Sequence, residues 1–297
     1  MPDGEHELIR PDARIRYRMS GPEAAPAVVF LHGSTLDGES WAGQVEALEE
    51  TYRVVVPDLR GHGASTMDGR FEFEAAVEDV LALLDEIDAE RVALVGLSLG
   101  GNIAQEIVYR CPERVDALVV ADATCNTAPR NPLQVPITIS YLAAQTMTSR
   151  NRFLQRAAAA TAQDEEVQQY VLDVNENRSV AETLQILVSL VNDALHPDPE
   201  YRLPVPTLLI HGDGDRIGDI VGSTREWAAR EPLADYVVVP DAGHVSNQDN
   251  PEAFNAALTA FLAEALRPAT TVPDDGGGDR MVRPQRRLWD RLRRHAS

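Results

Sequence analysis

Arg91–Gly101, RVALVGLSLGG, constrains what this chain can fold into more than any other stretch. Val92–Val95 is a short apolar run bounded by Gly96, which suits an inner strand of a parallel sheet buried on both faces. Asn102–Arg110 then has helical spacing, with Ile103, Ile107 and Val108 on one side. Between strand and helix stands Gly-x-Ser-x-Gly, a pattern that lifts Ser98 onto a sharp turn. Gly96 and Gly100 leave room where side chains would collide, and the helix behind Ser98 aims backbone N–H groups at incoming negative charge. A serine hydroxyl is a weak nucleophile that needs a base to take its proton. Taken alone, the pentapeptide reads equally well as a tight turn with a solvated serine, so partners elsewhere have to decide.

The rest of the chain repeats the same alternation. Leu8–Arg10 and Arg14–Met19 read as antiparallel strands, and Ala27–Leu31, Arg53–Val56, Val115–Ala121, Val205–Ile210 and Tyr236–Val239 as further strands. Helical patterns lie at Trp41–Glu50, Phe73–Asp88, Asp219–Arg230 and Pro251–Leu266. In Phe73–Asp88, Val77, Val80, Leu81, Leu84 and Ile87 form the apolar face and the acidic residues the solvated one. Strands alternating with helices build a mostly parallel sheet with helices on both faces, expected here with eight strands, and sites in such sheets lie at the strands' C-terminal ends. The glycine-bearing loops at 32–38, 57–65, 211–215 and 241–244 all fall at that end. Strand signals stop between residues 130 and 200, an alanine-rich helical stretch that we expect to form a cap. The expected organisation is a core of residues 1–129 and 201–267, a cap over 130–200, and a disordered basic tail over 268–297.

Composition narrows the function. At 297 residues, 44% hydrophobic and 25% charged, the chain is an ordinary globular protein with one large core, and no apolar run approaches the ~20 residues of a membrane span. The N-terminus has no apolar signal segment, so a cytoplasmic location is expected. A formal charge of −20 argues against nucleic acid as a partner. All 27 basic residues are arginines, and seven of them stand in residues 280–297 against Asp290 alone. There Leu288, Trp289 and Leu292 could line one face of a short amphipathic helix, but Pro284 and the shortness of the segment favour a solvated tail. Cys111 and Cys125 are too few for a disulfide framework and lack metal-ligand spacing. Nothing in the sequence specifies an oligomeric state.

Serine-based acyl transfer needs a base, an orienter for that base and donors for the oxyanion, and each is available at a strand end. Ser98, Asp215 and His244 follow the order expected for a nucleophile on a strand-to-helix elbow. His244 would relay the proton while Asp215 holds its tautomer. Asp122 ends the preceding strand and also fits that order, and Asp213 is a third candidate, but the glycines flanking Asp213 favour Asp215. Backbone N–H groups of Leu99 and Ser34 would hold the oxyanion. His32, His62 and His211 read as loop-packing residues and Cys125 as an inert thiol.

With these motifs in place (LHGSTLDGESW at 31–41, PDLRGHGAS at 57–65, GLSLGG at 96–101, LLIHGDGD at 208–215 and PDAGH at 240–244) the chain resembles an α/β-hydrolase-fold serine hydrolase over about residues 5–267. The branch it resembles includes 3-oxoadipate enol-lactonases, small esterases and cofactor-free haloperoxidases. The resemblance implies a cap, no metal, no organic cofactor, and a small-molecule ester or lactone as substrate. Carbon–carbon hydrolysis of a diketone and perhydrolysis would use the same triad, and a non-catalytic receptor on the same fold is the rival of another class. Epoxide hydrolases and dehalogenases of this fold carry aspartate at the position of Ser98. The chain departs from the family in one respect, having no acidic residue after His244 until Asp249.

Overall fold

The computed structural model describes residues 4–129 and 149–267, together with the short strands 271–273 and 279–281. Residues 130–148 of the expected cap, and most of the expected tail, lie outside the described residues.

Among the described residues, nine strands form the main sheet: β1 (Gly4–Ile9), β2 (Ala13–Ser20), β3 (Ala27–Leu31), β4 (Arg53–Pro57), β5 (Thr66–Met67), β6 (Val92–Leu97), β7 (Val115–Ala121), β8 (Thr207–Gly212) and β9 (Ala234–Val239). Eight of them run in the order β1-β2-β4-β3-β6-β7-β8-β9, and the two-residue β5 pairs with β2 at the margin. From β4 to β9 all pairings are parallel, while β1 and β2 are antiparallel. The inner strands β3, β4, β6 and β8 are buried at every residue, as an apolar run covered on both faces must be. β2 alternates instead: Ile15 and Tyr17 point inward, and Arg14 and Arg16 pair with Glu5 and Glu7 of β1.

Period-2 alternation divides the core between the sheet's faces. Val29, Leu31, Val92 and Leu94 face one apolar layer, completed by α2 (Phe73–Glu86) and α3 (Leu99–Arg110). Val28, Phe30, Ala93, Val95 and Leu97 face the other, completed by Trp41, Leu48 of α1 (Ala42–Leu48) and the C-terminal helix Pro251–Ala265. On α2 the buried face is Phe73, Ala76, Val77, Val80, Leu83 and Leu84, so Leu83 is buried and Leu81 lies at the edge.

One expectation for α2 is corrected. Asp79, assigned to the solvated face, is buried and accepts hydrogen bonds from Arg60 Nε at 2.8 Å, Arg60 Nη2 at 3.0 Å and Arg10 Nε at 3.0 Å. Arg60 also holds Asp12, so one buried guanidinium ties the loop after β4 to both the N-terminal hairpin and α2. A buried carboxylate is tolerable only when paired in this way.

Between β7 and β8 the described residues include three α-helices, α4 (Arg150–Thr161), α5 (Glu165–Val174) and α6 (Val180–Ser189). Capping residues account for the starts of α5 and α6. Asp164 accepts from the N–H groups of Glu166 and Val167, and Ser179 forms a reciprocal capping box with Glu182. Among the described residues, no helix is long and apolar enough to cross a membrane.

Candidate active site

β6 runs into α3 through Ser98, which has φ 50° and ψ −114°. A non-glycine residue in that region is strained, and its surroundings enforce it. Ser98 N–H donates to Ala121 O at 2.9 Å, and Ser98 O accepts from Asn102 N at 3.0 Å as the first bond of α3. The turn requires its glycines: a Cβ on Gly96 would strike the backbone of Gly100 and Gly101, and one on Gly100 would strike the carbonyls of Leu31 and His32. The side chain that results is carried on the N-terminus of a helix whose first-turn N–H groups, beginning with Leu99, have no partners inside the helix.

His244 joins Ser98 to Asp215. Its Nε2 lies 2.9 Å from Ser98 Oγ and its Nδ1 2.9 Å from Asp215 Oδ2. The Asp215 carboxylate can only accept, so Nδ1 carries the proton and Nε2 presents its lone pair to the serine hydroxyl. Asp215 Oδ1 accepts from Ile217 N–H at 2.8 Å, which fixes the carboxylate, and its side chain is fully buried. Burial opposes the charged form of His244. The hydrogen bond and charge of Asp215, with the charge of Asp122 beyond it, outweigh burial and raise the ring above its ordinary value.

Asp122 does not reach His244. It is completely buried, with Oδ1 accepting from Gly212 N at 2.9 Å and Oδ2 from Ser246 N at 3.3 Å and Ser246 Oγ at 2.5 Å. It therefore laces the end of β8 to the segment just after His244. Burial, then the neighbouring charge of Asp215, push its carboxyl up to about 7. Asp213 Oδ1 accepts from Ala242 N at 3.3 Å, a loop contact.

The loop after β3 closes the other side. An added Cβ on Gly33 would stand 3.5 Å from Ser98 Cβ, which puts the Gly33–Ser34 peptide beside the nucleophile. Thr35, with φ 64°, turns the chain back, and His32 locks the base of the loop by accepting from Leu59 N at 2.9 Å. Ser34 Oγ is buried without a hydrogen-bond partner among the described residues. His32 and His62 are both buried, and burial depresses both rings. His211 is buried with Nε2 2.8 Å from Tyr236 OH. Cys125 is buried against Thr127 and Arg230, and burial pushes its thiol up. Among the described residues, no cluster of three or more His, Cys, Asp or Glu side chains is placed to hold a metal.

Sequence reasoning missed how closely the helices between β7 and β8 engage these loops. His244 N–H donates to Thr161 O at 2.8 Å at the end of α4. Asp249 accepts from Gly243 N at 2.6 Å, Gln163 N at 3.0 Å and Asp164 N at 3.0 Å. The late acidic residue that departs from the family pattern thus stitches the histidine loop to the inserted helices. Tyr170 OH donates to Asp37 Oδ1 at 2.6 Å, and Asn175 Nδ2 donates to Thr35 O at 2.9 Å. The bonds from Gln163, Asp164, Tyr170 and Asn175 to these loops leave no local signature, because each spans more than 80 residues of chain.

Comparison with known proteins agrees with this architecture. The profile of the alpha/beta hydrolase family matches residues 28–257. The chain is 24% identical over 258 residues to 3-oxoadipate enol-lactonase 2 of Acinetobacter baylyi, covering 86% of this chain and 95% of that protein. It is 29% identical over 252 residues to a non-heme chloroperoxidase of Kitasatospora aureofaciens, covering 79% and 91%. Among solved structures, the enol-lactonase from Burkholderia xenovorans superposes with a TM-score of 0.71 at 26% identity, over 84% of this chain and 97% of that one. With the match extending from β3 to the C-terminal helix and embracing the Ser98 elbow, the chain belongs to the alpha/beta hydrolase family.

Proposed function

We propose that this protein hydrolyses a carboxylic ester or lactone of a small molecule through an acyl-enzyme on Ser98. The observation that carries the reading is the position of His244, 2.9 Å from Ser98 Oγ on one side and 2.9 Å from Asp215 on the other. Ser98 Oγ attacks the carbonyl carbon as His244 Nε2 takes its proton, and the tetrahedral oxyanion rests on the N–H groups of Leu99 and Ser34. Collapse expels the alkoxide, which receives the proton from Nε2. Water, deprotonated by the same nitrogen, then attacks the acyl-enzyme and releases the carboxylic acid and the serine. Asp215 keeps the proton on Nδ1 and stabilises the transient imidazolium. Asp122 is given a positioning role, holding the Ser246 end of the histidine loop against β8. The helices between β7 and β8 serve as the cap, and their contacts with the histidine, acid and oxyanion loops support that assignment.

Turnover of a panel of 4-nitrophenyl esters and simple lactones tests the reading. Wild-type protein is expected to hydrolyse at least one of them, and Ser98→Ala to retain less than about one part in ten thousand of that rate, given the million-fold losses known for such nucleophiles. Retention of more than about a hundredth by a folded Ser98→Ala protein would rule out the covalent route.

A further inference from the structure

The inserted helices carry a cation, Arg178, with no ion-pair partner among the described residues, although Glu182 supports its charge from a distance. Arg178 lies in the turn between α5 and α6, half-buried, with Nε fully buried and without a hydrogen-bond partner among the described residues. Of its five N–H donors, the one with a described partner is on Nη2, which donates to Gly61 O at 3.0 Å. No carboxylate among the described residues lies within ion-pairing distance. Glu182, four residues on, is engaged in the capping box, accepting from Ser179 N at 2.7 Å. Asp37 is taken by Tyr170 OH and Glu39 N, and Asp58 by Gly38 N and Ala64 N, both at 2.7 Å. The stretch 130–149 holds no Asp or Glu that could serve instead. Arginine retained in such a place is costly unless an anion completes it.

Its hydrogen bond to Gly61 sets it against one of the loops at the strands' C-terminal ends. Gly61 belongs to the loop after β4, where the His62 ring lies 5.1 Å from that of His32. His32 directly precedes Gly33, which abuts Ser98. Burial, with a smaller contribution from the charge of Arg178, depresses both imidazoles, and an imidazole offers a guanidinium no counterion. The turn that bears it is clamped: Arg150 Nη2 donates to the carbonyls of Asn175 at 2.8 Å and Arg178 at 3.2 Å, and Asn175 holds Thr35 O of the oxyanion loop. A guanidinium carried on a turn held this way, and itself held at Nη2 by Gly61 O, can receive a planar anion on its remaining N–H groups. On a chain of formal charge −20, an anionic substrate needs such a local cation to be admitted.

Building on the serine-hydrolase reading, we propose that Arg178 determines specificity by binding a carboxylate carried by the substrate, which is therefore an anionic ester or lactone rather than a neutral one. Arg178 touches the non-reacting end of the substrate and takes no part in proton transfer.

Two matched substrate pairs test this: 4-nitrophenyl pentanoate against 4-nitrophenyl hydrogen glutarate, which adds a carboxylate to the acyl part, and phenyl acetate against 4-carboxyphenyl acetate, which adds it to the alcohol part. Wild-type protein is expected to prefer the anionic member of at least one pair in kcat/KM. Arg178→Gln should cut that preference by about 30-fold, chiefly through KM, and Arg178→Lys should restore part of it. The proposal is overturned if wild-type protein favours the neutral member of both pairs, or if Arg178→Gln lowers both members alike. Fluorophosphonate labelling of wild-type protein separates the two failures. A protein that labels and turns over but shows no Arg178-dependent preference loses this proposal alone, whereas one that neither labels nor turns over loses the serine-hydrolase reading and this proposal with it.

Discussion

Three carboxylates stand near His244 in the sequence order that an elbow serine demands, and their fates differ because of single hydrogen bonds. Asp215 reaches Nδ1, Asp122 reaches only Gly212 and Ser246, and Asp213 reaches Ala242. Asp215→Asn should therefore lower ester turnover by roughly ten-thousand-fold with the fold intact, because the amide favours the wrong imidazole tautomer. Asp122→Asn should cost far less turnover. Its carboxylate supports the charged form of His244, so its removal should move the acid limb of the kcat/KM profile to lower pH. In wild-type protein the sign is the reverse: the base works only when neutral and its pKa is raised, so the rate should climb with pH and reach half its plateau above the ordinary histidine value of about 6.5. A pH–rate series on one aryl ester for the two proteins checks both statements. The choice between Asp122 and Asp215 was poised in the sequence, since flanking glycines suggest reach without measuring it, and only the placement of the β8 loop against the histidine loop separates them.

Among the elements, the strands and the elbow were legible because their signals are local: all-apolar runs for buried strands, glycines where a Cβ would collide. The inserted helices were legible as helices and opaque as neighbours. Their apolar residues are shared with the two sheet layers, Ala158 and Val171 on one side and Ile186 on the other, so they belong to the cores they cover. Ile186→Ala should accordingly destabilise the whole protein by about 2–4 kcal/mol, seen as one denaturant transition at a lower midpoint; a separate early transition would mark the insertion as an independent unit. The Arg60–Asp79 pair was illegible for the same reason, since 19 residues and a loop separate the partners. Asp79→Ala leaves the buried Arg60 guanidinium with Asp12 alone and should cost about 3–5 kcal/mol in the same assay.

For the molecule as a whole, the motifs of five separate loops converge because a parallel sheet sends every strand's C-terminal end to the same edge. That geometric rule is why so much of the candidate site could be read before the fold was known, and why contacts made by the inserted helices, which obey no such rule, could not. Every residue given a role here precedes residue 268, so a chain ending at Arg267 should turn over a small ester at the full-length rate, and a large loss in a folded truncation would give the tail a part in the site. Covalent capture asks whether Ser98 is a nucleophile activated by His244. Full-length protein is treated with a fluorophosphonate and digested, and the adduct is located by mass spectrometry. One adduct per chain is expected on the peptide bearing Ser98, absent from Ser98→Ala and slowed at least about a hundredfold in His244→Ala. An adduct on another residue, or undiminished labelling of the Ser98→Ala protein, would contradict it.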